Sequence, residues 1–296
     1  MLSSRLRHAL RPATPAGHPL VSGLWVLSLI ALVVGAGLAG LGIQTGGVGA
    51  AGFVGLLIGW GIYLMRHQRF LARLARAERH MLDGDLDAAR MVLSPLLARF
   101  PAAPHIQRAS GLLLYASGDP LSAASLLETA LARLGADAAL VSTLVASYAA
   151  LNKSADARRA AGALRGDPDV RLALAWCELV ALGGDRDVGA RLVSELVHDP
   201  TARTGLGRRL MLASLIGLAA VRAGDALCAR AAIAEVETAA PSLAPADRAF
   251  IGYLSAVALR EAGDVEGARR TFSAALASAE GTIGAALARR ERSHLR

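Results

Sequence analysis

The sequence predicts an all-α protein, in which an N-terminal two-helix transmembrane hairpin precedes an α-solenoid of about six helix pairs. Residues 19–65 contain no charged side chain, which is typical of membrane-crossing segments. The remaining residues are rich in alanine, leucine and arginine, all of which are good helix formers. A two-residue turn pair, glycine–aspartate in five of six cases and Asn152-Lys153 in the other, recurs there at steps of 32 to 40 residues, which indicates a repeated helical unit.

The uncharged stretch divides into two apolar runs, 21–43 and 48–65, joined by a short polar loop at 44–47. A helix that crosses a bilayer needs about 20 mostly apolar residues. Both runs approach or exceed that length, and neither has the polar face of a soluble core helix. They are therefore predicted to span the membrane as a hairpin, preceded by a basic, disordered cytoplasmic tail at 1–18.

Positive charge flanks this hairpin on both sides and is absent between its two runs. Residues 1–80 contain eight arginines and one acid, so they hold most of the chain's formal net charge of +8. By the positive-inside rule, both termini are predicted to be cytoplasmic, with the hairpin in a bacterial inner membrane. The arginines after the second run are expected to contact anionic lipid headgroups, and no nucleic-acid partner is predicted. These juxtamembrane arginines are Arg66, Arg69, Arg73 and Arg76.

Glycines within the hairpin admit two interpretations. Small residues let membrane helices approach closely, and packing within the hairpin is favoured here over contact with other membrane subunits or a second copy of the chain. The packing glycines are Gly35, Gly40, Gly55 and Gly59, of which the last two form a G-x-x-x-G motif. Gly35–Gly40 also fits the G-x-G-x-x-G fingerprint of flavin and nicotinamide proteins, which requires an acid about 20 residues later. No acid occurs at that distance, so the cofactor interpretation is disfavoured.

The repeat unit is defined by a tight turn and by small residues at fixed distances from it. A small residue follows each turn pair by five positions, and an apolar residue usually follows by nine. Glycine allows a turn between two antiparallel helices, and the small residues are expected where those helices touch. Such helix pairs bury their apolar faces only by stacking on their neighbours. The turn pairs are Gly84-Asp85, Gly118-Asp119, Asn152-Lys153, Gly184-Asp185, Gly224-Asp225 and Gly263-Asp264.

This spacing resembles that of the tetratricopeptide repeat (TPR) superfamily, whose unit is a helix–turn–helix of about 34 residues. The resemblance covers roughly residues 70–278. It implies a repeat domain at 66–280 that is closed by a C-terminal capping helix at 281–296. Two membrane spans followed by such repeats also resemble the arrangement of the HemY-type bacterial envelope proteins, although no residue motif connects this chain with haem.

Enzyme motifs are absent from the sequence. It contains no G-x-x-x-x-G-K, no H-E-x-x-H and no G-x-S-x-G. The seven histidines lack metal-ligand spacing, and Cys177 and Cys228 lack a C-x-x-C partner. Many of the acidic residues follow the turns, where they are expected to cap helices. The sequence therefore predicts no enzymatic activity, no cofactor and no metal site.

The TPR resemblance implies a concave groove that binds a protein or peptide partner and is lined by the first helix of each unit. Arginines in this groove are expected to bind carboxylates, and aromatic side chains are expected to act as apolar anchors. The predicted groove residues are His105, Arg108, Leu112, Tyr115, Arg171, Glu178, Arg222, Phe250, Tyr253 and Arg260. The positions that match the family's clamp for a chaperone's C-terminal carboxylate do not carry its residues, so that ligand is not expected. These positions hold Leu74, Glu78, Ala109, Ala139 and Thr143.

These features together predict a membrane-anchored adaptor or scaffold. The hairpin would fix the chain to the lipid bilayer, and the groove would recruit a protein or peptide partner. Two alternatives stay open. One is a structural or assembly subunit of a larger inner-membrane complex, which packs through its glycine-rich spans. The other, which the sequence context disfavours, is a flavin or nicotinamide enzyme that uses Gly35–Gly40.

Overall fold

The computed structural model of the protein describes residues 46–294, and every regular element in that part of the chain is helical. The all-α prediction is thereby confirmed for these residues. Short 3₁₀ turns occur at Gly162–Leu164, Pro200–Arg203 and Ala240–Ser242. The α-helices of residues 46–294 are α1 (Gly46–Leu82), α2 (Leu86–Arg99), α3 (Pro104–Ala116), α4 (Pro120–Leu134), α5 (Ala138–Ala150), α6 (Ser154–Ala161), α7 (Pro168–Val180), α8 (Arg186–Val197), α9 (Leu206–Ala223), α10 (Ala226–Ala239), α11 (Pro245–Glu261), α12 (Val265–Ser278) and α13 (Ile283–Ser293).

The described residues belong to two compact units, with the division after Arg76 inside α1. The predicted tail at 1–18, the predicted span at 21–43 and the glycines Gly35 and Gly40 lie outside the described residues. The second apolar run, with Gly55 and Gly59, lies within α1.

Arg66, Arg69, Arg73 and Arg76 are all exposed on α1. None of the helices within residues 46–294 combines the length and the apolar character that a membrane crossing requires.

In the second unit, helices that are adjacent in sequence pack as pairs: α3 with α4, α5 with α6, α7 with α8, α9 with α10, and α11 with α12. We call α3, α5, α7, α9 and α11 the first helices and their partners the second helices. Successive first helices also contact one another, and α13 packs against both α11 and α12. This is the solenoid-like array of helix pairs that the repeat spacing predicts. The helix α13 lies within the segment predicted to cap the array.

The turns within the pairs have the expected backbone geometry. Four of the predicted glycines have a left-handed φ between +75° and +85°, and Asn152 has a φ of +58°. This region of φ is costly for most side chains, which explains why glycine or asparagine occupies the position. An aspartate then caps the following helix, as where Asp85 accepts a hydrogen bond of 3.0 Å from the amide of Ala88. The four glycines are Gly84, Gly118, Gly224 and Gly263.

The turn between α7 and α8 differs from its predicted position. The helix α7 ends at Val180, four residues before Gly184, whereas the other first helices end within two residues of their turn position. The left-handed residue is Gly183, with a φ of +76°. Gly184 is needed for a different reason, because a Cβ there would lie 2.5 Å from the carbonyl oxygen of Glu178. The longer loop shifts the register of α7 relative to the predicted one.

The small residues of the repeat lie where the sequence predicts close helix contacts. Ala89, Ala123, Ala157 and Ala268 are fully buried. At Gly111, an added Cβ would lie 2.7 Å from Cγ of Leu127 on the paired helix. Larger side chains at these positions would force the paired helices apart, since a closely packed interface has no spare volume.

Loss of one turn cap is expected to destabilise the array modestly. In the Asp119→Ala variant, the amide of Ser122 loses the 3.1 Å hydrogen bond that caps α4. We expect the free energy of unfolding to fall by about 1 kcal/mol, the usual effect of removing an N-cap. The measurement is urea unfolding followed by circular dichroism. Asp87→Ala serves as the control, because Asp87 is exposed and pairs with the equally exposed Arg90 on the same helix. A loss as large in this variant would contradict the capping role.

Candidate functional site

The first helices converge on one cavity of about 110 Å³. Its wall is mostly apolar, and α13 contributes Ile283 at one side. A volume of this size accommodates several non-hydrogen atoms, since an engineered apolar cavity of about 150 Å³ binds benzene. The residues around it are Leu112, Tyr115 and Ala116 of α3; Ala139, Ser142, Thr143 and Ala146 of α5; Asp169, Ala173 and Trp176 of α7; Gly207 and Met211 of α9; and Ala246, Asp247, Phe250 and Ile251 of α11.

Aromatic side chains form one end of the cavity wall. The rings of Trp176 and Phe250 are perpendicular, with centroids 5.0 Å apart, and Tyr253 lies behind Phe250 at 6.2 Å. Among the described residues, neither the indole N–H of Trp176 nor the hydroxyl of Tyr253 has a hydrogen-bond partner of acceptable geometry. Burial raises the pKa of the Tyr253 hydroxyl and the carboxylate of Glu291 adds to the rise, whereas Arg290, Arg260 and the Trp176 indole oppose it. Burial likewise raises the pKa of Tyr115.

The charged groups in the described wall of the cavity are both carboxylates, those of Asp169 and Asp247. Asp169 is 1% exposed and accepts two hydrogen bonds of 2.5 Å from Nε and Nη2 of Arg208. Nη1 of Arg208 also binds Oγ1 of Thr204 at 3.0 Å. This pair fixes the start of α9 against the start of α7. No basic side chain contributes to the described part of the wall, and the carboxylate of Asp169 is bound by Arg208, which is not itself among the wall residues.

The last helix touches helices near the start of the array. A Cβ on Gly118, in the turn after α3, would lie 3.3 Å from Cβ of Ala286 on α13. Nη1 of Arg290 donates a hydrogen bond of 2.9 Å to the carbonyl oxygen of Ala150 at the end of α5. The first helices and α13 thus surround the cavity on several sides.

The predicted groove arginines all bind carboxylates of this chain. Arg108 contacts Asp137 through two hydrogen bonds, of 2.9 and 3.2 Å, which join α3 to the next unit. The other pairs are Arg171 with Glu195 and Asp199, Arg222 with Glu261, and Arg260 with Glu291. Their observed role is to link elements of the array, and their binding to a partner stays a prediction.

The other predicted residues separate into two groups. Leu112, Tyr115 and Phe250 lie together in the cavity wall. Glu178 is buried elsewhere, where it accepts hydrogen bonds of 2.5 and 2.7 Å from Arg158 and one of 2.6 Å from the amide of Asp185. His105 is half-buried, and burial together with the adjacent Arg108 lowers its pKa.

Trp176 and Asp169 were not among the predicted groove residues. Each lies two residues before a predicted one, Glu178 and Arg171 respectively, which matches the early end of α7. A shift of two residues rotates a side chain by about 200° around a helix, so the predicted residues face away from the cavity. The glycine pair at 183–184 was the available signal that this turn is longer than the others.

Comparison with known proteins adds no relative to this picture. No protein-family model matches the chain, and no curated protein is similar to it. Within residues 46–294, no three His, Cys, Asp or Glu side chains come together in a way that would hold a metal ion. The apolar cavity is therefore the feature on which a functional proposal for this chain rests.

Glu78, near the end of α1, is a buried carboxyl group whose ionisation is unfavourable. It is 4% exposed, and burial raises its pKa from 4.5 to about 7, although the charge of Arg108 opposes this shift. The folded protein consequently binds more protons than the unfolded chain between these two values, so stability falls as pH rises through that window. A shift of this size corresponds to roughly 3 kcal/mol.

The Glu78→Gln variant is expected to be more stable than the parent chain at pH 8, by up to about 3 kcal/mol, and to lose this advantage near pH 4. Urea unfolding at several pH values measures the difference between the two proteins. The exposed Glu266→Gln variant is the control and should show a difference of only a few tenths of a kcal/mol at all pH values. A difference that does not change with pH would show that Glu78 ionises normally.

Proposed function

We propose that this chain is a membrane-anchored scaffold whose repeat unit binds a protein partner through the cavity. The observation that carries the proposal is the convergence of all five first helices on one mostly apolar cavity. Enclosed apolar sites with a few polar groups are the usual places where proteins bind ligands and anchoring side chains.

We infer that the helix pairs are TPR-like. The inference is supported by the recurring left-handed turn, by the aspartate caps that follow it, and by the buried alanines between paired helices. TPR-like arrays bind partners on the concave side, which is the side formed by the first helices. The expected partner segment inserts an apolar side chain between Leu112, Met211 and Phe250.

Membrane attachment is proposed from the sequence. The uncharged residues 19–65 and the arginines on both sides of them are the supporting observations, and they favour a bacterial inner membrane with both termini cytoplasmic. Attachment would raise the local concentration of the repeat unit near a membrane-associated partner. Contacts that are weak in free solution then become effective, because attachment to the same membrane has already brought the two proteins together.

The proposal is tested by filling the cavity. Ala146 lies in the cavity wall, and the Ala146→Phe variant should occupy the space that a partner side chain would use. The matched control is Ala132→Phe, at an exposed position on the second helix α4. Each full-length protein is crosslinked in membranes and purified, and its co-purifying proteins are quantified by mass spectrometry.

We expect the partner to fall at least tenfold in the Ala146→Phe sample and to be retained in the Ala132→Phe sample. Thermal unfolding by circular dichroism must show that both variants remain folded. Equal recovery of the same partner with both variants would refute binding in the cavity.

The glycine-rich spans support a second candidate, a structural or assembly subunit of a larger inner-membrane complex or of a homo-oligomer. Gly40→Leu and Gly55→Leu would then abolish co-purification while Ala146→Phe would not. The third interpretation, a flavin or nicotinamide enzyme that uses Gly35–Gly40, requires flavin absorbance or nicotinamide fluorescence in the purified protein. Protein purified without added cofactor answers this question directly.

A further inference from the structure

The turns within the helix pairs carry most of the exposed large apolar side chains of residues 77–294. Five such side chains are exposed there, and four of them lie in these turns or in the first helical turn that follows. Single exposed apolar residues are normal on a protein surface, but four at one repeated position form a pattern. The four are Leu121, Leu182, Leu227 and Val265, with exposed fractions of 63%, 76%, 80% and 44%.

Consecutive turns lie side by side along one edge of the array. Asn152, in the turn after α5, accepts a hydrogen bond of 3.0 Å from the amide of Leu182, in the turn after α7. Arg222, at the end of α9, donates hydrogen bonds to the carbonyl oxygen of Leu179 at the end of α7 and to the carboxylate of Glu261 at the end of α11. The turns after α5, α7, α9 and α11 are therefore neighbours, and the usual distance between packed helices places them about 10 Å apart.

These turns are acidic, although the chain as a whole has a formal net charge of +8. We call residues 83–88, 117–122, 151–156, 182–188, 223–228 and 262–267 the turn edge. The turn edge contains ten carboxylates and two basic side chains, those of Lys153 and Arg186. Three of the carboxylates pair with an arginine three residues further along the same helix, namely those of Asp87, Asp156 and Glu266.

The helix-capping carboxylates keep their negative charge at the surface. Asp119, Asp225 and Asp264 each accept a hydrogen bond from a backbone amide through Oδ1, at 3.1, 3.0 and 2.8 Å. An amide is neutral, so the cap leaves the charge of the carboxylate in place. Within residues 46–294, none of these three side chains forms a salt bridge.

A basic helix is complementary to the turn edge in polarity, charge and spacing. Seven residues of an α-helix advance about 10.5 Å, which matches the separation of neighbouring turns. A leucine repeated every seven residues would meet Leu182, Leu227 and Val265 in succession. Arginines three and four positions after each leucine share its face of the helix and would meet the carboxylates of the same turns. An anionic lipid surface would instead be repelled by these carboxylates.

We propose that the turn edge binds a basic helical segment of a partner protein. The leucines of that helix lie against Leu182, Leu227 and Val265, and its arginines lie beside Asp225 and Asp264. The turn edge shares no residue with the cavity wall, so the inference goes beyond the proposed function and does not depend on it.

A designed peptide of about 21 residues tests the proposal, because it carries only the recognition pattern. It repeats a heptad with leucine at the first position, arginine at the fourth and fifth, and alanine elsewhere, and it has a fluorescent dye at one end. The control peptide has glutamate at the arginine positions. Each peptide is titrated with the full-length protein in phosphatidylcholine nanodiscs, and binding is followed by fluorescence anisotropy.

Substitutions at exposed positions separate the turn edge from the rest of the surface. The edge variant combines Leu182→Arg with Leu227→Arg, which adds two positive charges and leaves the aspartate caps intact. The matched control variant, Met91→Arg with Ala132→Arg, adds the same charges at exposed positions of α2 and α4. Circular dichroism checks that both proteins are folded.

We expect the arginine peptide to bind the parent and the control variant, and to bind the edge variant at least about tenfold more weakly, because like charges then face each other. Binding to the parent should weaken in about 0.5 M NaCl, since exposed charges are screened. The glutamate peptide should not bind. Failure of the arginine peptide to bind the parent, or equal binding to the parent and the edge variant, would overturn the proposal.

Two further measurements distinguish other occupants of the turn edge and other sites for the peptide. Flotation of the parent nanodiscs with phosphatidylglycerol vesicles, if it is lost in the edge variant, would assign the turn edge to lipid and refute the proposal. The Ala146→Phe variant should bind the arginine peptide as the parent does. Loss of the peptide in this variant, with binding retained in the edge variant, would place the peptide in the cavity and also refute it.

Discussion

The Arg208→Ala variant is expected to lose about 3 kcal/mol of folding free energy. Arg208 is 22% exposed on its side chain and supplies two 2.5 Å hydrogen bonds to the buried carboxylate of Asp169. Removing one member of a buried pair leaves the other charge in a poor environment, which typically costs about 3–5 kcal/mol. The partial exposure of Arg208 places the expected loss at the lower end of that range.

Urea unfolding measures this loss, and the neighbouring residue provides the control. Arg209 contacts Glu235 at 3.2 Å, but the two side chains are 50% and 46% exposed, so Arg209→Ala should cost less than about 1 kcal/mol. Adding Asp169→Asn to Arg208→Ala should recover part of the loss, because the buried group is then neutral. Equal losses for the two arginine variants, or no recovery in the double variant, would show that the pair does not stabilise the start of α9.

The arrangement of helix pairs was predictable because its signals are local. A turn of two residues needs a left-handed backbone. The residue five positions after the turn must also have a small side chain, so that the two helices can touch. Both requirements act within a few residues of the turn, and so they recur in the sequence at Ala89, Ala123 and Ala268. The same local signals predict the pairing of helices without any information about how the pairs stack.

The cavity was less predictable, because it depends on the register of every first helix at once. In α7 the loop before Asp185 is longer than in the other pairs, and the predicted Arg171 and Glu178 consequently lie away from the cavity. Local spacing cannot reveal such a shift unless the end of the helix is known. The contribution of Ile283 from α13 depends on the curvature of the array, which no single repeat specifies.

The ion pairs of the predicted groove were missed for a related reason. Arg222, for example, has the carboxylate of Glu261 within reach only after the next pair has stacked on its own. Sequence separation gives no indication of these contacts, which join residues 39 positions apart in that case. The arginines predicted to bind a partner thus also form ion pairs within the array, and their binding to a partner stays a prediction.

The Trp176→Ala variant is expected to show the largest loss of stability, about 3–5 kcal/mol, because it removes a large buried aromatic side chain. Trp176 is 1% exposed and packs edge-on against Phe250 with centroids 5.0 Å apart. Its removal enlarges the cavity and leaves Phe250 without that contact. Urea unfolding measures the loss, and Leu182→Ala, at a position that is 76% exposed, should stay within about 0.5 kcal/mol of the parent.

The Trp176→Phe variant separates packing from hydrogen bonding at the same position. The indole N–H makes no hydrogen bond of good geometry within the described residues, although it lies near the Tyr253 hydroxyl, so its removal should cost little in hydrogen bonding. Phenylalanine keeps a ring against Phe250, and the expected cost is below about 1.5 kcal/mol. A loss with phenylalanine as large as that with alanine would mean that the N–H does have a partner in the folded protein.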